Sequence, residues 1–433
     1  MFFSLAVSVP TGFFVLGLIG SVLLAGYLLG GILGSSPEYR ITGAEEMPGM
    51  DAPRFLTLVE SLADAKVNRT GNLEVLTNGP NFYPAALEAI RAARRSICLE
   101  AYIFHTSEIG RMYVEAMAER ARAGVQVKIT LDAFGSVSAR RPFLRALVEA
   151  GGRVGRYNGL RWDRLLRIGS RTHRELLIVD GKVAFIGGAG VADQWYSGAK
   201  GSPRWRDTMV RVEGEAVPNL QATFAENWLA ASGELLVSEA YFPDIQCSHP
   251  MTTLVVNSTP TVGGSTRARV LFQLLLASAQ QSISITTPYF LPDKSLMREL
   301  CGAVERGVMV RILVPGRKSD HLLTRSASRG GYGPLLKAGA EVYEYQPSMI
   351  HAKVLCVDGL WAVVGSTNFD NRSFGINDEV NLAVKDAAVT LRLETDMAND
   401  LKDSRRITLE DWRRRPVTER ATELLGWVFE RQQ

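Results

Sequence analysis

Two histidines in this 433-residue sequence stand where covalent chemistry on phosphorus could be done. His351 opens HAKVLCVDG and His173 opens HRELLIVDG, two strand-like runs that each end in Asp-Gly. Side chains alternate faces along a strand, so His351 shares a face with Lys353, and His173 with Glu175. Arg174 falls on the opposite side and cannot stand in for a missing lysine. Both runs continue through the Asp-Gly turn into a second strand, a hairpin signal. Each hairpin then reaches a segment of small residues, Gly187-Gly188 in one copy and Gly365-Ser366-Thr367-Asn368 in the other. One imidazole of such a pair can attack phosphorus while the other, protonated, donates to the leaving oxygen. A lysine on the same face can neutralise the non-bridging oxygens, and small residues let the backbone approach them. A lone strand histidine is ordinarily structural. Two in equivalent positions of a duplicated chain carry more weight.

The elements that position them repeat. Residues 97–104 (ICLEAYIF) read as a buried strand, followed by a helical run, Gly124 and the strand VQVKITLDAF. Residues 283–291 (ISITTPYFL), a helical run, Gly307 and VMVRILVPG replay that order. Phe104 with Phe290, Gly124 with Gly307 and His173 with His351 anchor the duplication. Alternating strand and helix predicts an α/β fold, two tandem domains each built as a β-sheet flanked by helices and sharing one cleft. The expected boundaries are an anchor at 1–40, a connector at 41–72, a first domain at 73–240 and a second at 252–433.

Composition supports a globular body: 46% of residues are hydrophobic and 22% charged, which excludes a disordered or fibrous chain. The four cysteines show no metal or disulfide spacing and read as free thiols. No metal is demanded, since the carboxylates do not cluster at ligand spacing and only five histidines exist. The N-terminal run 13–34 is almost wholly apolar; as a helix it spans about 33 Å, enough for a single transmembrane anchor. Glycines 26, 30 and 34 suit a close helix contact, hence the expectation of a homo-oligomer. Arg40, Arg54 and Lys66 follow the run and no Lys or Arg precedes it, which points to a cell-membrane protein with a cytoplasmic catalytic part.

HAKVLCVDG followed by GSTN resembles the HxKxxxxD signature of the phospholipase D superfamily, with His351, Lys353, Asp358, Ser366 and Asn368 in register. Over roughly residues 73–430 the chain is similar to the bacterial cardiolipin synthase branch, through LEAYIF, LDAFGS, RTHRELLIVDG, WRDTMVRVEG, TTPYFLPD and GSTNFDNRSFGINDEVNL. The resemblance implies a phosphatidyltransferase of phospholipid biosynthesis that joins two phosphatidylglycerol molecules into cardiolipin and glycerol. It further implies a phosphohistidine intermediate, no cofactor, and a membrane setting with anionic phospholipid as partner. Carried over residue by residue, the catalytic set is His173, His351, Lys353, Asp180 and Asp358, the two aspartates shaping the hairpin turns. Family precedent favours His173 as the nucleophile. Ser366 and Asn368 match the phosphate pocket. Asp207 in WRD and Glu379 in NDE, 34 and 28 residues after their histidines, match carboxylates that orient an imidazole.

Two positions depart from the pattern: Glu175 stands at the first lysine position and Gly190 where Asn368 stands in the second copy. Like charges 4 Å apart cost roughly 4 kcal/mol at an effective dielectric of about 20. Three readings are open. Glu175 disables the site and leaves a lipid-binding protein; or Lys182 or an arginine from 161–171 neutralises it; or it binds a hydroxyl of the incoming alcohol. Hydrolysis by water is the alternative reaction. The ten arginines between 140 and 174, with RWDRLLRIGSR among them, suit anionic headgroups. Nucleic acid would also suit arginines, but an apolar anchor beside the catalytic motif fits lipid better. The segments 332–339 and 419–429 could add interfacial apolar surface or pack in the core.

Overall fold

The computed structural model describes residues 38–159, 170–198, 201–245, 247, 251–259, 266–416, 419–420 and 423, with 12, 14–15, 17–22 and 26 near the N-terminus. Within the first half lie β1 (Val67–Thr77), β2 (Ser96–Ala101), β3 (Gln126–Asp132), β4 (Arg153–Tyr157), β5 (Glu175–Val179), β6 (Val183–Gly187) and β7 (Thr208–Gly214). The second half holds β8 (Met251–Ser258), β9 (Ser282–Thr286), β10 (Phe290–Leu291), β11 (Met309–Pro315), β12 (Glu341–Tyr345) and β13 (Val354–Val357). It continues with β14 (Trp361–Gly365), β15 (Phe369–Asp370), β16 (Glu379–Lys385) and β17 (Ser404–Ile407).

The two halves are one continuous sheet. From one edge the order is β4-β3-β2-β5-β6-β7-β1, then β8-β16-β14-β13-β9-β11-β12 and an added β17. The second series mirrors the first strand for strand, and the joint is the antiparallel pair β1–β8, with Val67 opposite Leu254 and Thr70 opposite Met251. The outer strands β2, β3 and β4 are parallel, as helical crossovers require, whereas the hairpin strands run antiparallel. A short parallel pair, β10 with β15, stands apart.

Each half has its own apolar core. A third cluster joins Leu176, Ile178, Ala184, Ile186, Val210 and Val212 of the first half with Val255, Cys356, Ala362, Val364, Val380 and Leu382 of the second. The hairpins therefore pack against each other and are fixed in relation to one another, not merely strung in sequence. Both Asp-Gly turns have positive φ at both central residues, +54° and +63° in each copy, the geometry that matches the twist of paired strands. Gly124 and Gly307 repeat the same agreement at +89° and +88° after equivalent helices.

The connector expected at 41–72 is replaced by structure. Helix Pro53–Leu62 buries Phe55 and Val59 in the second half's core, beside Leu254 and Trp361, and β1 begins at Val67. The i, i+4 spacing of Phe55 and Val59 makes the stripe that binds it there. Tyr332 and Leu335 of the 332–339 segment are core residues. The four cysteines are free. Most of 13–34, 161–169 and most of 419–429 lie outside the described residues. Among the described residues no helix is long and apolar enough to cross a membrane.

Candidate active site

The faces predicted for the hairpin strands hold. His173, Glu175, His351 and Lys353 all line one cleft of about 660 Å³, together with Ser366 and Asn368. Arg174 points the other way, fully buried, donating to the Thr223 carbonyl at 2.7 Å and to Glu226 at 3.1 Å.

The two halves exchange carboxylates. His351 Nδ1 lies 3.0 Å from Asp207 of the first half, and His173 Nδ1 lies 3.2 Å from Glu379 of the second. The sequence spacing assigned each acid to the histidine of its own half; the pairing is crossed. Backbone hydrogen bonds across the interface deliver it. Arg206 N–H donates to Met349 and His351 N–H to Arg206; symmetrically, Asp378 N–H donates to Arg171 and His173 N–H to Asp378. Each acid follows directly on the residue so clamped, at the start of β7 or β16.

Both carboxylates are themselves held. Asp207 accepts from Trp195 Nε1 at 3.0 Å and from the Thr208 amide at 2.8 Å. Hydrogen bonds to His351 and Thr208 and the Lys353 charge outweigh burial and keep Asp207 below the usual carboxylate range. Ser366 donates its hydroxyl to Glu379, so it braces the dyad as well as lining the cleft. At the position equivalent to Ser366, a Cβ on Gly188 would come within 2.7 Å of Asp207 and 2.9 Å of the His351 carbonyl; only glycine fits.

Lys353 lies over the His351 ring, 2.8 and 3.1 Å from its nitrogens, and donates to the His351 carbonyl at 2.8 Å. Burial lowers the Lys353 pKa, while Asp207, Glu379 and Glu175 pull it up. Burial first, then the Lys353 charge, lowers the His351 pKa against the support of Asp207.

Glu175 is buried, and its Oε1 accepts from the backbone amides of Tyr102 and Ile103, each at 3.2 Å. Desolvation raises its pKa well above the carboxylate range, against those amides and Lys353. Lys182 sits in the hairpin turn at the far end of β5, and Arg171 meets Asp132 at 3.5 Å. Among the described residues the groups acting on Glu175 are the two amides, burial and Lys353; Arg161, Arg164 and Arg167 lie outside the described residues.

Asp180 and Asp358 are outside the cleft. Asp180 accepts from the amides of Arg94, Arg95 and Ser96, and Asp358 from those of Gln280, Gln281 and Ser282. They tie each turn to the start of the neighbouring strand, at the other end of the hairpin from the histidines.

A family profile described as "Cardiolipin synthase, PLD-like domain" matches residues 86–228 and 273–401. The chain belongs to this family. It is 35% identical to a probable cardiolipin synthase of Bacillus subtilis, YwiE, over 91% of this chain and 77% of that protein. The major cardiolipin synthase of the same organism, ClsA, is 35% identical over 80% of this chain and 72% of its own length. In fold, the chain is similar to a phosphatidylserine synthase of Haemophilus influenzae Rd KW20, with TM-score 0.66, 14% identity, and coverage of 86% of this chain and 99% of that one.

Within this cardiolipin synthase family member, several site residues have no signal in the hairpin motifs. The Tyr102 ring lies 4.5 Å from that of His173, and Trp195 and Trp205 lie 5.3 and 5.4 Å from His351. Asn377 Nδ2 is 3.1 Å from His173 Nδ1. Tyr289 donates to Asp320 at 2.6 Å at the cleft wall, where Arg372 also lies. For Tyr289, Trp205 and Asn377, membership of TTPYFLPD, WRD and NDE was the available signal, but only tertiary packing gives it direction. Among the described residues no cluster of His, Cys, Asp or Glu could hold a metal ion.

Proposed function

We propose that this protein is a phosphatidyltransferase that joins two phosphatidylglycerol molecules into cardiolipin with release of glycerol, working at a membrane. The observation that carries the reading is the pair of crossed His–carboxylate dyads on either side of one lysine in a single cleft. Glu379 and Asn377 both meet Nδ1 of His173, which leaves Nε2 for the substrate, whereas Lys353 crowds both nitrogens of His351. His173 is therefore the nucleophile in this reading, and His351 the proton carrier.

In the first step Nε2 of His173 forms a bond to phosphorus, the bond from phosphorus to the glycerol oxygen breaks, and His351 gives that oxygen its proton. A headgroup hydroxyl of a second phosphatidylglycerol then gives its proton to His351 and attacks the phosphohistidine; the P–N bond breaks and cardiolipin leaves. Lys353 and Asn368 face the non-bridging oxygens through both transfers. A bound phosphodiester offsets the Lys353 charge, so His351 can take up the proton it must donate.

Support for the membrane setting comes from the apolar run 13–34 and from the cleft mouth. Phe134 and Val137, after β3, are 73% and 63% exposed; Leu322 and Leu323, after β11, are 65% and 49% exposed. Phe134, His321 and Thr324 line the cleft itself, so both apolar pairs stand at its rim. A single anchor with the catalytic part on the cytoplasmic side completes the proposal.

The test is incubation of detergent-solubilised protein with phosphatidylglycerol and identification of products by mass spectrometry. Cardiolipin with free glycerol is expected. Phosphatidic acid alone would move the assignment to a hydrolase, and no product beside an active control would leave the lipid-binding reading.

A further inference from the structure

The cleft is duplicated in backbone but not in chemistry. On the second half, Lys353 and Asn368 present donors to an anion. At the equivalent positions of the first half stand Glu175 and Gly190, an acceptor and an absent side chain. The two changes are sterically linked: a Cβ on Gly190 would come within 2.5 Å of the Ile103 carbonyl and 3.1 Å of Glu175 Oε1, so no asparagine fits there while Ile103 and Glu175 are placed as they are. Nor is Glu175 loose. Its Oε1 is pinned by the Tyr102 and Ile103 amides, and among the described residues no hydrogen bond reaches its Oε2 while the side chain lines the cleft. Where the other half carries Ser366 and Asn368, Gly188 and Gly190 put no side chain between Glu175 and the cleft, and their Cβ positions are already taken by Asp207, the His351 carbonyl and Ile103.

We infer that Glu175 Oε2 is the floor of a hydroxyl-binding subsite that accepts a hydrogen bond from a polyhydroxy alcohol, at the hydroxyl adjacent to the one that bonds to phosphorus. This rests on the phosphatidyl-transfer reading and names the acceptor class that the same site selects. The charges around it favour a hydroxyl over a cation. The ionisable side chains lining the cleft are balanced, Glu175, Asp320 and Asp370 against Arg171, Lys353 and Arg372, with three histidines. Burial raises the Glu175 pKa and Lys353 is its charged neighbour, so an ammonium placed there would meet an existing cation. A neutral or charged carboxyl accepts from a hydroxyl equally well in geometry. A site built to bond a hydroxyl discriminates strongly against the analogue that lacks it, because its buried polar atom is then left unpaired.

The experiment supplies the full-length protein with phosphatidylglycerol as donor and competing soluble acceptors: isotopically labelled glycerol, whose label marks newly formed phosphatidylglycerol, 1-propanol and ethanolamine. It reads kcat/KM for each transphosphatidylation product. Wild type is expected to prefer glycerol over 1-propanol by about tenfold or more. Glu175→Leu is expected to reduce that ratio at least tenfold. Glu175→Gln keeps an oxygen for the two amides but turns the other atom into a donor, and should reduce the ratio about threefold or more, chiefly through the KM for glycerol. A wild-type ratio near one, a preference for ethanolamine, or a ratio unchanged in active Glu175→Gln would each overturn the inference. The wild-type ratio decides even if Glu175→Leu fails to fold. Absence of cardiolipin from wild type would instead overturn the transferase reading, so the two failures are distinguishable.

Discussion

Glu379, at the start of β16 in the second half, meets Nδ1 of His173 in the first half at 3.2 Å, and Asp207 returns the arrangement to His351 at 3.0 Å. Neither half holds a complete dyad. The chemistry therefore depends on the packing of both hairpins, and on the shared core that registers them. An amide at either acid keeps the volume but removes the charge that fixes the imidazole tautomer and stabilises imidazolium. Glu379→Gln and Asp207→Asn are each expected to lower kcat by about 100-fold or more, with KM little changed. Steady-state kinetics on phosphatidylglycerol, with circular dichroism to check folding, reads this. A loss confined to KM would place these acids in substrate binding instead.

The two histidines separate with an activated donor. A p-nitrophenyl phosphodiester leaves without needing a proton, so a variant lacking only the proton donor still forms the covalent intermediate. His351→Ala is expected to release a burst of p-nitrophenol and to carry phosphate on His173; His173→Ala should give no burst. A burst from His173→Ala alone would reverse the roles.

Asp180 and Asp358 have a different kind of importance. Each carboxylate accepts three backbone amides and each residue holds φ +54°, a left-handed conformation that aspartate and asparagine tolerate better than alanine. Asp358→Ala strands those amides and is expected to cost about 2–4 kcal/mol of stability, while the folded fraction keeps kcat within a few-fold. Thermal unfolding beside active-site titration separates the two. A kcat loss without loss of stability would return this aspartate to the chemistry.

The hairpins, their facing and the duplication were legible in sequence, because a two-residue period and an Asp-Gly turn are local signals. The same holds for the placement of Arg174 away from the cleft. The crossing of the dyads was not, since the 34- and 28-residue spacings describe only the path within each half, whereas the clamp of Arg206 on Met349 and of Asp378 on Arg171 is tertiary register. Glu175 was legible as a departure but not as a tethered group; the amides that pin it belong to the end of β2, distant in sequence. Phe55 and Val59 carried a helical stripe, yet only the second half's core tells what it packs on.

Glu100 makes a pH prediction. It is fully buried on β2, accepts from Thr172 and Asn227, and burial pushes its pKa up to about 7 against the attraction of Arg174. The folded state therefore holds a proton that the unfolded chain releases near pH 4.5. That contribution to stability is complete below the unfolded pKa and is lost as pH rises through the folded one, about 7. Between pH 5 and 8 wild type is expected to lose on the order of 2–3 kcal/mol through this group. Glu100→Gln should flatten the decline, read by denaturant unfolding at several pH values. An equally steep decline in the variant would assign the pH dependence to other groups.

Val137 and Leu322 test the proposal that the cleft rim meets a membrane. Neither lines the cleft, yet one follows Phe134 closely in sequence and the other stands between His321 and Leu323, in segments contributed by the two halves. Single exposed apolar residues are ordinary on a protein surface. Two pairs contributed by equivalent loops of the two halves, flanking a cleft proposed to take a diacyl lipid, are a patch with a direction. Burying one such side chain in a bilayer is worth about 1.5–3 kcal/mol, so Val137→Ser with Leu322→Ser should weaken engagement of phosphatidylglycerol vesicles by about tenfold or more. Turnover of a monomeric short-chain phosphatidylglycerol, which needs no interface, should remain within about twofold, because the reacting groups are untouched. The ratio of the two rates is the measurement. Equal losses on both substrates would mean that these residues shape the cleft rather than meet the bilayer, and no loss on either would remove the rim from the account of membrane binding.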